Sequence, residues 1–104
     1  MGSGRRRVAW TEGAHRELDA AIDFVAEQSL EGALGLLDDI LAAVESLEAL
    51  AERGRVVPER EQPTIREILV GPYRILYEVT DSDVMILGIL HQRRDFHRWD
   101  GGEV

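Results

Sequence analysis

The chain has 104 residues, no cysteine and a formal net charge of −8, and its twelve basic residues are all arginine. This length suits one domain with one hydrophobic core, and the missing cysteines exclude disulfide scaffolds, thiol catalysis and cysteine-ligated zinc sites. No stretch approaches the roughly 20 apolar residues of a membrane span, so we expect a cytoplasmic protein with no membrane partner. Between residues 12 and 52, eleven carboxylates face Arg16 alone, so this acidic half should repel a nucleic-acid backbone.

The chain is divided into a linker over residues 1–5, a single domain over residues 6–99 and a tail over residues 100–104. The domain begins with a short strand at residues 6–10. Neither a repeat nor a low-complexity tract suggests a second domain.

Two amphipathic helices follow the first strand. Thr11 and Ser29 stand where N-cap residues are expected, and apolar residues recur at helical spacing up to about residue 28 and then up to about residue 52. Gly54 occupies the position at which a left-handed residue commonly ends a helix. The two helices should form an antiparallel hairpin that packs on a sheet through Leu18, Ile22, Val25, Leu37, Ile40, Leu41 and Val44.

The second half of the chain predicts a sheet. After a loop at residues 55–63, strands are expected at residues 64–70, 73–80 and 84–90, separated by Gly71-Pro72 and by a tight turn at residues 81–83. The predicted fold is therefore α+β, in the order β-α-α-β-β-β, with a helical hairpin on one face of a small antiparallel sheet. Residues 84–90 are apolar apart from Gly88, as expected of a central strand covered on both faces. Since the helices cover one face only, the other should present an apolar groove for a second copy, the C-terminal segment or a partner.

The densest group of chemically capable side chains follows the last strand. Three arginines, two histidines and two aromatic residues within residues 91–99 could hold phosphate and stack a base, or could be a terminus whose aromatic rings pack on the sheet edge. The residues in question are His91, Arg93, Arg94, Phe96, His97, Arg98 and Trp99. Either histidine could serve as a general base, although no serine, threonine or carboxylate is placed to complete a triad.

Arg74 is a second candidate, because it lies in the middle of a predicted strand. It could be a solvated residue, an ion-pair partner of Glu67 or Glu78, or a cation that projects into an active-site groove. Metal binding by His91, Asp95 and His97 is not expected, since their spacing is not that of a rigid ligand set. No glycine-rich phosphate loop is present, and we predict neither a metal nor an organic cofactor.

With these residues in view, the chain resembles the RelE/ParE superfamily of bacterial toxins from type II toxin–antitoxin systems, and within it the ParE branch. The resemblance runs from Val8 to Asp95, and its motifs are Val8-Ala9-Trp10-Thr11, Gly54-Arg55-Val56-Val57-Pro58-Glu59, Arg66-Glu67, Gly71 to Val79, Val84 to Leu90, and His91 with Arg93-Arg94-Asp95. It implies the same helical hairpin on a sheet, a bacterial cytoplasmic location, and a cognate ParD-like antitoxin of the ribbon-helix-helix type, in a possible hetero-oligomer.

The resemblance implies one of two toxic activities. RelE-like members cleave messenger RNA on the ribosome, and Arg74 and Arg94 match basic positions of that pattern. The paired lysines of the ribonucleases are replaced by Ile65 and Glu67, and their tyrosine beyond Arg94 is missing. Losing cations that stabilise a phosphorane-like transition state weakens the ribonuclease alternative, in which Arg74, Arg94, His91 and His97 would be catalytic.

The leading hypothesis is therefore a ParE-like toxin that inhibits DNA gyrase by binding, in the manner of plasmid-stabilization systems, and is not an enzyme. The residues expected to bind the target are Arg93, Arg94, Arg98, Trp99 and Arg74. A third hypothesis is a non-toxic module that retains only antitoxin binding.

Overall fold

A computed structural model describes residues 5–57 and 62–92 of the chain. Its elements, in chain order, are β1 (Arg7–Trp10), α1 (Glu12–Ala26), α2 (Leu30–Ser46), β2 (Arg55–Val56), β3 (Ile65–Val70), β4 (Tyr73–Val79) and β5 (Asp83–His91). The five strands form one sheet in the order β1-β5-β4-β3-β2, and the two helices pack together on one face of it. The predicted α+β architecture is thus confirmed. Within the described ranges, neither helix has the length and apolarity needed to cross a bilayer.

Both helix starts are set by the predicted caps. The Thr11 hydroxyl accepts a hydrogen bond from the main-chain N–H of Ala14 at 3.0 Å, and Ser29 does the same for Gly32 at 2.9 Å. Each cap satisfies one of the N–H groups that the first turn of a helix leaves without a partner. The predicted end of α2 was wrong, because the helix stops at Ser46 and residues 47–52 form turns that bring the chain back to the sheet.

The sheet differs from the prediction in two respects. β1 pairs with β5 in parallel, with Val8 opposite Val84, so the sheet is mixed and not wholly antiparallel. β2 is a two-residue strand within the segment expected to be a loop, and it pairs with β3 through Arg55 opposite Glu67. The β1–β5 pairing joins segments far apart in sequence, and β2 is too short to show the alternation of a strand, so local patterns encode neither. The central position of β5, between β1 and β4, is as predicted.

The main core lies between the helices and the sheet. Alternation along β4 directs Tyr73, Ile75 and Tyr77 towards the hairpin. From α2 the buried residues include Ile40, but Leu41 is 45% exposed and its predicted place in the core was wrong. The apolar set of α2 is wider than the face that the sheet can cover, so part of it remains in contact with solvent.

The second face of the sheet is not an open groove. Five of its apolar residues form a smaller buried cluster, none more than 7% exposed, comprising Val57, Ile65, Leu76, Leu87 and Leu90, whereas Leu69 on β3 is 57% exposed. Val57 comes from the segment that follows β2 and is completely buried. The expectation of an exposed apolar groove along β5 was therefore wrong.

Gly54 is required for a reason other than the predicted one. Among the described residues, the glycine with a positive φ is Gly71, at 56°, in the turn between β3 and β4. A Cβ on Gly54 would instead lie 2.5 Å from both the main-chain oxygen of Glu67 and the hydroxyl of Tyr77. Gly54 donates its N–H to that hydroxyl at 2.9 Å, and the hydroxyl donates to the carbonyl of Ala51 at 2.8 Å. This close approach fixes the chain after α2 to the middle of the sheet.

Candidate functional site

The candidate residues divide between described and undescribed parts of the chain. Arg74 and His91 are described, whereas Arg93, Arg94, His97, Arg98 and Trp99 lie outside the described residues, as does Asp95. The site geometry that the structure describes is therefore that of the sheet, which comes before the basic segment in sequence.

Arg74 lies on β4 and points to the face opposite the helices, since its neighbours Tyr73 and Ile75 belong to the main core. It is only 7% exposed. Its Nε donates to Oε1 of Glu67 at 2.7 Å, and its Nη2 lies 2.6 Å from the same oxygen. Of the three alternatives for Arg74, the ion pair with Glu67 is thus confirmed.

Glu67 is held by a second arginine from the neighbouring strand. Arg55 of β2 directs its Nε to Oε2 of Glu67, so each oxygen of this fully buried carboxylate meets a guanidinium. Arg55 is itself 67% exposed. This second partner was not predicted, because the two-residue strand that positions Arg55 is too short to recognise in the sequence.

This arrangement restricts the chemistry of the sheet face. Removing one partner of a buried ion pair commonly costs about 3–5 kcal/mol, since the remaining charge stays in a low-dielectric environment without compensation. Arg74 could turn towards an external phosphate only by leaving Glu67 in that state. Arg55 remains accessible to an anion, but a single exposed guanidinium is a weak site.

The side chain of His91 projects from the face of the sheet opposite to that of Arg74. In the pairing of β4 with β5, Tyr73 lies opposite His91 and Arg74 lies opposite Leu90. Successive side chains along a strand alternate between faces, so His91 and Arg74 project to opposite sides of the sheet. The His91 ring packs edge-on against Tyr73, with 5.6 Å between ring centroids and 82° between ring planes. The structure thus does not bring these two candidate catalytic residues together.

The end of β5 is anchored at the turn between β3 and β4. The main-chain N–H of Gln92 donates to the carbonyl of Pro72 at 2.8 Å, and its side-chain amide donates to the carbonyl of Gly71 at 2.9 Å. Gln92, the residue that precedes the basic segment in sequence, is therefore held at a fixed point at the turn between β3 and β4.

No metal site accompanies these residues in the part of the chain that the structure describes. No group of three His, Asp or Glu side chains there is placed to hold a metal ion. Two open cavities, of about 430 and 440 Å³, lie at the Arg6–Arg66 end of the sheet and beside Trp10 and His15. Neither cavity is lined by Arg74 or His91.

Comparison with known proteins supports one family. The model of the ParE toxin of type II toxin–antitoxin systems matches residues 8–96. Toxin RelE2 of Caulobacter vibrioides is 35% identical over 89 residues, which cover 85% of this chain and 97% of that protein.

Solved structures agree. The chromosomal ParDE toxin–antitoxin system of P. aeruginosa contains a chain that is 29% identical, with a TM-score of 0.69 and coverage of 86% of this chain and 98% of that one. The RelBE2 toxin–antitoxin complex of Mycobacterium tuberculosis shares the fold at 22% identity, with a TM-score of 0.57 and coverage of 86% and 94%. Sequence and fold together place the chain in the ParE toxin family, within the RelE/ParE superfamily of type II toxin–antitoxin systems.

Proposed function

We propose that this chain is a toxin that acts by binding DNA gyrase, without cutting RNA, and that a cognate antitoxin holds it inactive. Membership of the ParE toxin family supports the toxin role. The similar chain from P. aeruginosa comes from a ParDE system, which supports a ParD-like antitoxin as the partner. The resemblance to the ParE branch supplies gyrase as the target.

The observation that carries the choice of binding over cleavage is the Arg55–Glu67–Arg74 cluster. A ribonuclease without a metal needs cations free to stabilise the charge that develops on phosphate in the transition state. Arg74 is buried, and two of its nitrogen atoms are bound to Glu67. At a position where the ribonuclease pattern has a lysine, this chain has Glu67. The carboxylate of Glu67 forms an ion pair with Arg74.

The placement of His91 supports the same choice. An acid or base must reach the same substrate atoms as the stabilising cation. His91 and Arg74 project to opposite faces of the sheet, which leaves the ribonuclease alternative without a described acid–base partner for Arg74.

The surface that contacts the target is proposed to comprise Arg93, Arg94, Arg98 and Trp99. These residues supply a dense group of cations in an acidic chain, and they follow directly after the anchored end of β5. Cation clusters both attract acidic surfaces and speed association with them. Because Arg74 is buried, we assign it a supporting role within the sheet.

The test is to induce the toxin in cells and to measure plasmid superhelicity and messenger-RNA 5′ ends in the same samples. Wild-type protein should reduce negative supercoiling and arrest growth, without new ribosome-dependent RNA ends. The variant Arg93→Glu/Arg94→Glu should lose both effects.

The matched control reverses the charge of two exposed arginines elsewhere, Arg7→Glu/Arg16→Glu, and should remain toxic. New RNA ends at normal supercoiling would contradict the proposal in favour of the ribonuclease. If the folded wild-type protein caused neither effect, the non-toxic antitoxin-binding module would replace it.

A further inference from the structure

Most arginines in the described part of the chain are neutralised by a carboxylate. Five form ion pairs with an aspartate or a glutamate: Arg5, Arg7, Arg16, Arg55 and Arg74. Among residues 5–57 and 62–92, the arginines outside these pairs are Arg6, Arg53 and Arg66. They line two cavities that share Arg6 and Glu52, so the arginines without a carboxylate partner are gathered in one place.

The larger of these cavities, which we call the mixed-charge cavity, has a volume of about 430 Å³. It lies at the end of the sheet where β1 and β3 begin and β4 ends. Its charged lining residues are Arg6, Glu52, Arg66, Glu78 and Asp81. Small-molecule sites have volumes of about 300–1,000 Å³, so this cavity has room for a small ligand, and its charges favour a polar one.

The two arginines of the mixed-charge cavity are held in place by neutral groups. Nε of Arg6 donates to the carbonyl of Thr80 at 2.8 Å. Nη1 of Arg66 donates to the carbonyl of Gly54 at 2.6 Å and to that of Glu52 at 3.3 Å. These carbonyls orient the two half-buried guanidinium groups without neutralising them. The remaining nitrogens of each group, which have no partner within the described residues, are therefore available to a carboxylate.

The carboxylates of the cavity are also without a described cationic partner. Glu78 is half-buried, and its Oε2 accepts a hydrogen bond from the hydroxyl of Thr64 at 3.2 Å. Glu52 and Asp81 are exposed. None of the three forms an ion pair with an arginine of the described residues, although Arg6 and Arg66 line the same cavity. Charges of both signs thus face one space without pairing with each other.

We propose that the mixed-charge cavity binds a small zwitterion of the amino-acid type. Its carboxylate would accept hydrogen bonds from Arg6 and Arg66, and its ammonium group would donate to Glu78. A further ammonium group would reach the exposed carboxylates, Glu52 and Asp81. Guanidinium groups bind a carboxylate with two parallel hydrogen bonds, and such charge-assisted bonds are the stronger ones in proteins. This proposal does not depend on the target of the toxin.

The mixture of charges decides against simpler ligands. A phosphate ester would bring its negative charge beside three carboxylates, and a diamine would bring its positive charge beside two guanidinium groups. A zwitterion instead offers each lining group a charge of opposite sign. Because the cavity has one more carboxylate than guanidinium, a ligand with one excess positive charge, such as L-lysine, leaves the occupied cavity neutral.

The test adds three probes to the purified, isotope-labelled chain at constant ionic strength and follows its amide signals by NMR. L-lysine carries both kinds of charge, cadaverine is lysine without the carboxylate, and hexanoate is lysine without the amino groups. L-lysine should shift the amides around the mixed-charge cavity saturably and bind at least about 10-fold more tightly than either analogue, since each analogue lacks one set of charge-assisted hydrogen bonds. The absence of a saturable shift with L-lysine, or an equal affinity for lysine and either analogue, would overturn the proposal.

Two substitutions separate the loss of a charge contact from a loosened fold. Arg6→Gln should weaken L-lysine at least about 5-fold but leave cadaverine bound as in wild type or more tightly, because a positive charge is removed. Glu78→Gln should weaken L-lysine by a similar factor but leave hexanoate bound as in wild type or more tightly. Arg66 is kept, because its two hydrogen bonds also hold the turn after α2.

The matched controls make the same changes of charge at exposed positions outside the cavity. Arg7→Gln and Asp38→Asn should stay within about 2-fold of wild type for L-lysine, and circular dichroism should show that all four variants are folded. If Arg6→Gln weakened all three probes equally, or if Arg7→Gln weakened L-lysine as much as Arg6→Gln, the mixed-charge cavity would not be the site.

Discussion

Replacing Glu67 by glutamine tests whether the sheet face is held by the buried charge cluster. The substitution keeps the size of the side chain but removes the charge that neutralises Arg74, whose side chain is only 9% exposed. A buried charge left without its partner costs about 3–5 kcal/mol. The exposed Arg55 adds little to this, because solvent screens its pairing. Since domains of this size unfold with about 5–15 kcal/mol, the variant should lose a large part of its stability.

The loss is measurable by both denaturant and heat. Urea unfolding should show a lower midpoint with an unchanged slope, and the melting temperature should fall by at least about 12 °C at roughly 4 °C per kcal/mol. The control Glu45→Gln alters an exposed carboxylate and should stay within about 0.5 kcal/mol of wild type. Replacing both partners, as Glu67→Leu/Arg74→Met, should recover much of the loss. If the free energy of unfolding of Glu67→Gln were within about 1 kcal/mol of wild type, Arg74 would not depend on Glu67 for neutralisation in the buried sheet face.

Three further predictions concern the fold that supports this face. Ile40→Ala should cost about 2–5 kcal/mol in urea unfolding, because Ile40 is completely buried, whereas Leu41→Ala should cost less than about 1 kcal/mol. Gly54→Ala should destabilise the protein by about 1–3 kcal/mol through its close contacts, while Gly35→Ala, whose Cβ meets nothing within 4 Å, should stabilise it by about 0.5–1 kcal/mol. Burial raises the pKa of the Tyr77 hydroxyl above 10.0, so its contribution to stability is complete below about pH 10 and is lost as the pH rises through the raised pKa. Tyr77→Phe should remove this alkaline loss of stability and should lower the free energy of unfolding by about 1–3 kcal/mol at pH 7. Urea unfolding at pH 7 and at a pH above about 10 measures both effects.

The elements that were predicted correctly depend on local patterns. Thr11 and Ser29 cap their helices with their own side chains, and the alternation from Tyr73 to Val79 follows from strand geometry alone. Their evidence lies within a few neighbouring residues, so a single sequence suffices to find it.

The features that were missed depend on distant parts of the chain. Leu41 has the same spacing as core residues, and only the rotation of α2 on the sheet shows that it is exposed. Gly54 is needed because Tyr77, 23 residues later, approaches its backbone. Glu67 was one of two acids considered for Arg74, and the register of β3 with β4 selects it. The second guanidinium, from Arg55, required a strand too short to recognise in the sequence.

The exposed side of α2 is the clearest gain from the structure. In the sequence its leucines are part of one apolar set that includes the core, and the acidic residues look like an ordinary solvated face. Burial separates the set into a covered face and a line of exposed leucines, which are Leu30, Leu34 and Leu41. Which of these leucines solvent reaches thus becomes known only with the orientation of the helix.

The most direct test of the central claim, that this toxin binds its target and does not cleave RNA, is supercoiling of relaxed plasmid by purified DNA gyrase. Added in excess over gyrase, the protein should block supercoiling in a dose-dependent way, and prior addition of its antitoxin should restore the activity. Full supercoiling in the presence of folded, antitoxin-free protein would contradict the account.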